Sequence, residues 1–215
     1  HEIRYGAKTA WTRSFYRWLG ELNFGDASSQ VAFTEYHLAV QAADQRLQRL
    51  TKALIASVTG WRFESVVQAL QALRGIDVVS AIGLVAEIGD IARFDHPRKL
   101  MAYLGLVPSE HSSGDRVRKG SITKTGNAHA RRLLTEAAWN YRFTPRIGRA
   151  AQARQETLAE PIKSIAWKAQ LRLTARYARL NGRGVHHNKV CVAVARELAG
   201  FVWAIARASV APTPH

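Results

Sequence analysis

A chain of 215 residues is long enough for one or two domains with a real core, and a hydrophobic content of 47% excludes wholesale disorder. The net charge is +15, and it is unevenly spread. Residues 1–100 hold 12 Lys/Arg against 10 Asp/Glu, whereas residues 101–215 hold 19 against 6, so the basic half starts at about residue 101 and points to a polyanion partner, most often nucleic acid. Cys191 is the only cysteine, which excludes an internal disulfide and a thiolate metal cluster; in an apolar helical stretch it reads as a small buried hydrophobe.

The start, His1-Glu2-Ile3-Arg4-Tyr5, lacks an apolar run, and the longest clean one, Leu198 to Ala206, is too short to span a bilayer. No signal peptide and no membrane partner are therefore expected, and the expected location is cytoplasmic. The first residue is His rather than Met, which suggests a processed product or a piece of a longer protein.

Taken in order, Trp11, Phe15, Tyr16, Trp18 and Leu19 recur at helical spacing and read as a buried helix face. Residues 29–58 contain no Gly or Pro. Within them Phe33, Tyr36, Val40, Ala43, Leu47, Leu50 and Leu54 alternate at three and four residues, the repeat of a coiled-coil seam, so homo-oligomerisation is expected there. Residues 64–73, the turn at Gly75 and the segment from Ile76 to Gly89 form the pattern of a helix-hairpin-helix. Asp77 suits a helix N-cap there, but it would repel a phosphate. Asp95 and Pro97 open the next helix, which ends at Gly105.

The segment from Gly105 to Asn127 follows, with glycines at 114, 120 and 126 and basic residues between them. Asn127 is a good N-cap for a helix of about 127–142, and a basic connector then runs from Arg142 to Arg154. Pro161 opens a basic helix to about Leu180, bearing Lys163, Lys168, Arg172, Arg176 and Arg179. Asn188 caps a last helix to about Ala208 that is apolar nearly all round, and residues 211–215 read as a disordered tail. The fold class is therefore all-α, divided as 1–62 (linker and long helix), 63–210 (C-terminal domain) and 211–215.

The Gly105–Asn127 segment is where chemistry is expected. Ser112 and Ser113 precede Gly114, while Arg116, Arg118, Lys119 and Lys124 crowd the same stretch and Arg131 and Arg132 lie in the helix behind it. A serine hydroxyl is a weak nucleophile until its deprotonation is assisted. Guanidinium and ammonium groups stabilise charge developing on a phosphate, and His111 and His129 are proton carriers by position. The 16 acids are scattered along helices without the spacing of a metal site, and solvated or capping roles account for them.

Three elements in order, Leu104-Gly105-Leu106-Val107-Pro108-Ser109-Glu110-His111-Ser112-Ser113-Gly114, Lys119-Gly120-Ser121-Ile122-Thr123-Lys124-Thr125-Gly126-Asn127 and Arg131-Arg132-Leu133-Leu134, resemble the C-terminal transposase domain of the IS-one-ten family of bacterial insertion-sequence transposases, the bridge-RNA-guided recombinases. The resemblance covers about residues 65–208, and the long helix resembles the coiled coil that precedes this domain. It implies DNA and a guide (bridge) RNA as partners, and a nucleophilic serine that forms a covalent phosphoserine linkage to DNA. The matching position is Ser113, with Ser112 as the fallback. It also implies a divalent metal, Mg, only in an N-terminal RuvC-like domain that these 215 residues do not contain. The isolated chain is thus expected to bind nucleic acid without completing recombination. Two other readings stand beside it: a non-catalytic helix-hairpin-helix nucleic-acid-binding module, and a structural protein assembled by its coiled coil.

Overall fold

The computed structural model describes residues 3–7, 9–110 and 119–210, with the backbone alone at 110 and 119. The described part is all-α apart from one two-stranded hairpin. The chain divides into two compact units, residues 1–53 and 54–215.

In the first unit, α1 (Arg13–Glu21) starts at Thr12, whose hydroxyl accepts from the Phe15 N–H at 3.2 Å. The aromatic run differs from expectation: α1 has no buried residue, and Trp11 is 63% exposed. Its rings instead pack against Tyr5, which meets Phe15 edge-on at 5.0 Å and Trp18 in a tilted contact at 5.1 Å. A nine-residue helix has no wide surface to cover all its rings, so they form a local cluster. Helix α2 (Ala27–Ala56) is a single uninterrupted helix, two residues earlier at each end than the sequence suggested. It too has no buried residue, and its seam positions Tyr36, Leu47 and Leu50 are among the most exposed apolar side chains of the chain.

Among the described residues, the second unit holds every buried one, from Val58 to Ala206. Its axis is α9 (His187–Val210), buried along Val190, Val194, Leu198, Val202 and Ile205. That spacing of four, four, four and three residues draws one continuous stripe along a helix. Against α9 pack α3 (Glu64–Leu70), α5 (Pro97–Tyr103), α6 (Ala128–Ala138) and α8 (Glu160–Gly182), and α4 (Val78–Ile88) lies across α3 and α6. Trp203 pins the rim by donating its indole N–H to Phe94 O at 2.6 Å. Cys191 is buried, as the sequence indicated, and burial raises its thiol pKa above the ordinary value.

Arg74 does the work of a tertiary clamp. Its Nη1 donates to Phe143 O and Thr144 O, and its Nη2 to Arg146 O, each at 3.1 Å. This ties the α3–α4 turn to the connector. That connector folds into α7 (Arg149–Gln155), which the sequence did not show as a helix, and Gln155 Nε2 donates back to Ala72 O. Gly75 packs so closely on α6 that a Cβ there would lie 2.5 Å from Ala137 O.

Two expected caps are corrected. Helix α5 is capped by His96, whose Nδ1 accepts from the Arg98 N–H at 3.1 Å, while Asp95 pairs with Lys99 instead. At α9, His186 Nδ1 accepts from the Asn188 N–H, so His186 and not Asn188 satisfies the helix start. In both cases an imidazole acceptor replaces the usual short oxygen side chain.

Candidate nucleic-acid interface

The hairpin sits where the sequence showed only a glycine-rich loop. Strand β1 (Pro108–Glu110) pairs antiparallel with β2 (Lys119–Ile122), with Pro108 opposite Ile122, Glu110 opposite Lys119 and an irregularity between. Ser109 Oγ donates to Ser121 O at 3.0 Å, and Thr123 N and Lys124 N continue the pairing onto Val107 O and Gly105 O. Glu110 and Lys119, the residues on either side of 111–118 in the sequence, are thereby held opposite each other. Ser112 and Ser113, with His111, Arg116 and Arg118, lie outside the described residues, as does the side chain of Lys119.

The base of the hairpin is closed by two interlocked glycines. Gly105 (φ +63°) lies where a Cβ would be 2.2 Å from Thr125 O, and Gly126 (φ +73°) where a Cβ would be 1.8 Å from Tyr103 O. Each lets the other strand of chain approach to backbone contact, which no other residue permits. Arg131 completes the closure: its Nη1 donates to Leu104 O at 2.9 Å and to Thr125 O at 3.0 Å. Of the cations expected to face a phosphate, Arg131 thus holds the loop base. Lys124 is exposed with a left-handed backbone (φ 57°), and Arg132 is exposed and 3.7 Å from Glu136.

Asn127 caps α6 as its position suggested, with Oδ1 accepting from the Ala130 N–H at 2.8 Å. Its other end donates to Glu87 at the C-terminal end of α4, and the second Glu87 oxygen lies 2.9 Å from His129 Nδ1. The Asn127 hydrogen bond, and then that of His129, hold the Glu87 carboxyl below its ordinary pKa. This carboxylate orients the imidazole one turn beyond the loop. Sequence reasoning missed Glu87, because its partners are 40 and 42 residues away and no local pattern links them.

At the start of α4 the Asp77 carboxylate accepts the Ser80 N–H at 2.8 Å, taking the donor that a phosphate would need there. Among the described residues no group of three or more His, Cys, Asp or Glu is arranged to hold a metal ion, and no helix is long and apolar enough to cross a membrane.

Residues 67–152 match the transposase IS116/IS110/IS902 family, a stretch that contains the whole hairpin and its glycine lock. Over 208 residues, 96% of its length, the chain is 47% identical to the “Putative transposase y4qE” of Sinorhizobium fredii, spanning 50% of that protein. It is 27% identical over 175 residues to the transposase for insertion sequence element IS1533 of Leptospira borgpetersenii (79% of this chain, 49% of that protein). With the transposase for insertion sequence element IS1111A of Coxiella burnetii it shares 33% identity over 138 residues (64% and 32%). The chain spans about half the length, or less, of these relatives.

Proposed function

We propose that this chain acts in DNA transposition as the C-terminal part of a serine-using transposase. The observation that carries the reading is that the family match contains the hairpin, whose two strands lie on either side of Ser112-Ser113-Gly114 in the sequence. In the proposed step Ser113 Oγ attacks a DNA phosphorus. An O–P bond forms, the P–O bond to one deoxyribose oxygen breaks, the serine proton passes to a base, and the departing oxygen gains a proton. Ser112 is the fallback nucleophile. His129, oriented by Glu87, is the proton acceptor we favour, and Lys124, Arg132 and the basic residues Arg116, Arg118 and Lys119 supply positive charge to the phosphate. Arg131 acts by holding the loop base in place.

A guide RNA, a divalent metal held by a RuvC-like domain outside this sequence, and homo-oligomerisation through α2 complete the proposal. The Asp77 cap weighs against the alternative in which the α3–α4 pair alone grips a phosphate.

The test is covalent trapping. The chain, with and without a supplied RuvC-like half, is incubated with DNA carrying candidate element ends and cognate RNA, then resolved on a denaturing gel. The expected result is a protein–DNA adduct that requires the supplied half and disappears in Ser113→Ala. An adduct that survives both Ser113→Ala and Ser112→Ala would sink the serine mechanism.

A further inference from the structure

The sequence placed the phosphate-binding cations within and just behind the glycine-rich loop. The second unit holds another set. A groove of ≈ 410 Å³ opens between α5, α8 and α9, lined by Arg98, Arg172, Arg176, Arg196 and Glu197. A second groove of ≈ 610 Å³ runs between the hairpin (Gly120, Ser121, Ile122) and the face of α9 that carries Lys189 and Arg196. Both are lined by Ala193 and Arg196, so the two grooves adjoin on α9, and together they are taken as a trough from β2 to α8.

Charge along this trough is one-sided. Among the described residues, its five cations face a single carboxylate, Glu197, whose side chain is only 23% exposed. Arg172 Nε donates to Glu197 Oε2 at 2.8 Å, and Arg176 Nε lies 3.3 Å from Oε1 without hydrogen-bond alignment. Because Glu197 engages Arg172 through Nε, the outer Nη groups of that 67%-exposed side chain make no hydrogen bond among the described residues. Arg98, Lys189 and Arg196 are exposed and have no carboxylate within ion-pair distance among the described residues. Like charges gathered in a concave surface repel one another unless an anion lies between them, and such clefts focus the field on a polyanion. Lys189 and Arg196 are two helical turns apart, an axial distance of roughly 10 Å that matches about three base pairs of B-DNA.

We propose that this trough carries a stretch of DNA backbone, with Lys189, Arg196 and Arg98 as contacts along it and Glu197 holding Arg172 and Arg176 in place. The trough starts at β2, inside the stretch that matches the transposase family, which is why DNA rather than another polyanion is its occupant. The proposal rests on the transposase reading, and its test is separable from the trapping assay because it measures equilibrium binding alone.

The experiment titrates fluorescent duplex DNA with the full chain at several salt concentrations and compares two triple variants. One is Arg98→Gln/Lys189→Gln/Arg196→Gln. The other removes the same charge elsewhere in the unit, as Arg62→Gln/Arg149→Gln/Arg154→Gln. All six side chains are exposed, and thermal melts verify that both variants fold. The trough variant is expected to bind at least ~10-fold more weakly near 0.1 M salt, with the slope of log K against log salt reduced by about 2 to 3, while the control changes less than ~2-fold. Equal losses in the two variants, or no loss in either, would overturn the proposal. So would a loss confined to RNA of the same sequence. If trough variants lose DNA while no serine adduct ever forms, the trough stands and the serine mechanism falls. An adduct with unchanged binding by the trough variants gives the reverse.

Discussion

Two residues at the hairpin base show how backbone chemistry fixes a site. At Gly126 a methyl group would sit 1.8 Å from Tyr103 O, a backbone atom that cannot rotate away. Gly60 also has a positive φ (+77°), but a Cβ there would meet nothing within 4 Å. Gly60→Ala should therefore show only the intrinsic left-handed cost, about 1–2 kcal/mol. Gly126→Ala should exceed it, at about 3 kcal/mol or more, or roughly 6–12 °C in Tm for a domain of this size. Denaturant melts of the two variants check this, and equal losses would remove the interlock from the account. Tyr141 gives the opposite sign. It is fully buried, its hydroxyl has no hydrogen-bond partner among the described residues, and burial raises its pKa. Tyr141→Phe removes an unsatisfied polar atom without changing ring packing, so it should leave stability unchanged or raise it by about 1 kcal/mol. A loss of stability would reveal a partner for that hydroxyl.

Glu87 carries a pH dependence. Its folded pKa is held below the ordinary 4.5 by Asn127 and His129, so the folded state favours the ionised form more than the unfolded chain does. That contribution is fully present above the unfolded value and is lost as pH falls through the lowered folded value. Glu87→Gln should therefore flatten the fall in Tm on acidification below about pH 4.5, and leave a smaller difference from wild type in acid than at pH 7. A parallel offset at every pH would mean that the carboxylate's charge is irrelevant there.

At the scale of elements, the proposed self-association is tested at α2. Its 3–4 apolar repeat is legible in the sequence, and the structure leaves Tyr36, Leu47 and Leu50 exposed at 77%, 64% and 54%. An apolar stripe of this length is costly in water unless another surface covers it, and a second copy of α2 supplies a matching one. Leu47→Glu/Leu50→Glu should convert the expected dimer into a monomer in sedimentation equilibrium, without changing the melting of the second unit. A wild-type chain that sediments as a monomer at all concentrations would exclude the pairing. Helices were readable because their signals are local: the α2 repeat, the Asn127 cap and the α9 stripe each lie within a few turns of one chain segment. The hairpin was not, since its strands are three and four residues long and owe their pairing to contacts such as Ser109 with Ser121, twelve residues apart. The His96 and His186 caps escaped for a different reason: nearby Asp95 and Asn188 are stronger cap formers by propensity, and tertiary placement chose otherwise. Of the candidate site, the cations and serines were legible as a cluster of residue types, but the Arg131 clamp and the Glu87 network depend on folded proximity.

At the scale of the molecule, the buried core belongs to one of the two units. Among the described residues every buried side chain, from Val58 to Ala206, lies in the second unit, whereas α1 and α2 contribute none. The conformational entropy of ordering a residue is offset mainly by apolar burial, so the first unit has little of its own to offset that cost. Its helicity should instead depend on association, and hence on protein concentration. Residues 54–215 expressed alone should unfold cooperatively, with a Tm within about 3 °C of the matching transition in the full chain, less than the shift expected from the loss of one well-packed core contact. Residues 1–53 alone should gain helical circular dichroism as concentration rises. A second unit that loses more than about 10 °C on truncation would show that residues 1–53 support the core directly, against a core that is stable by itself.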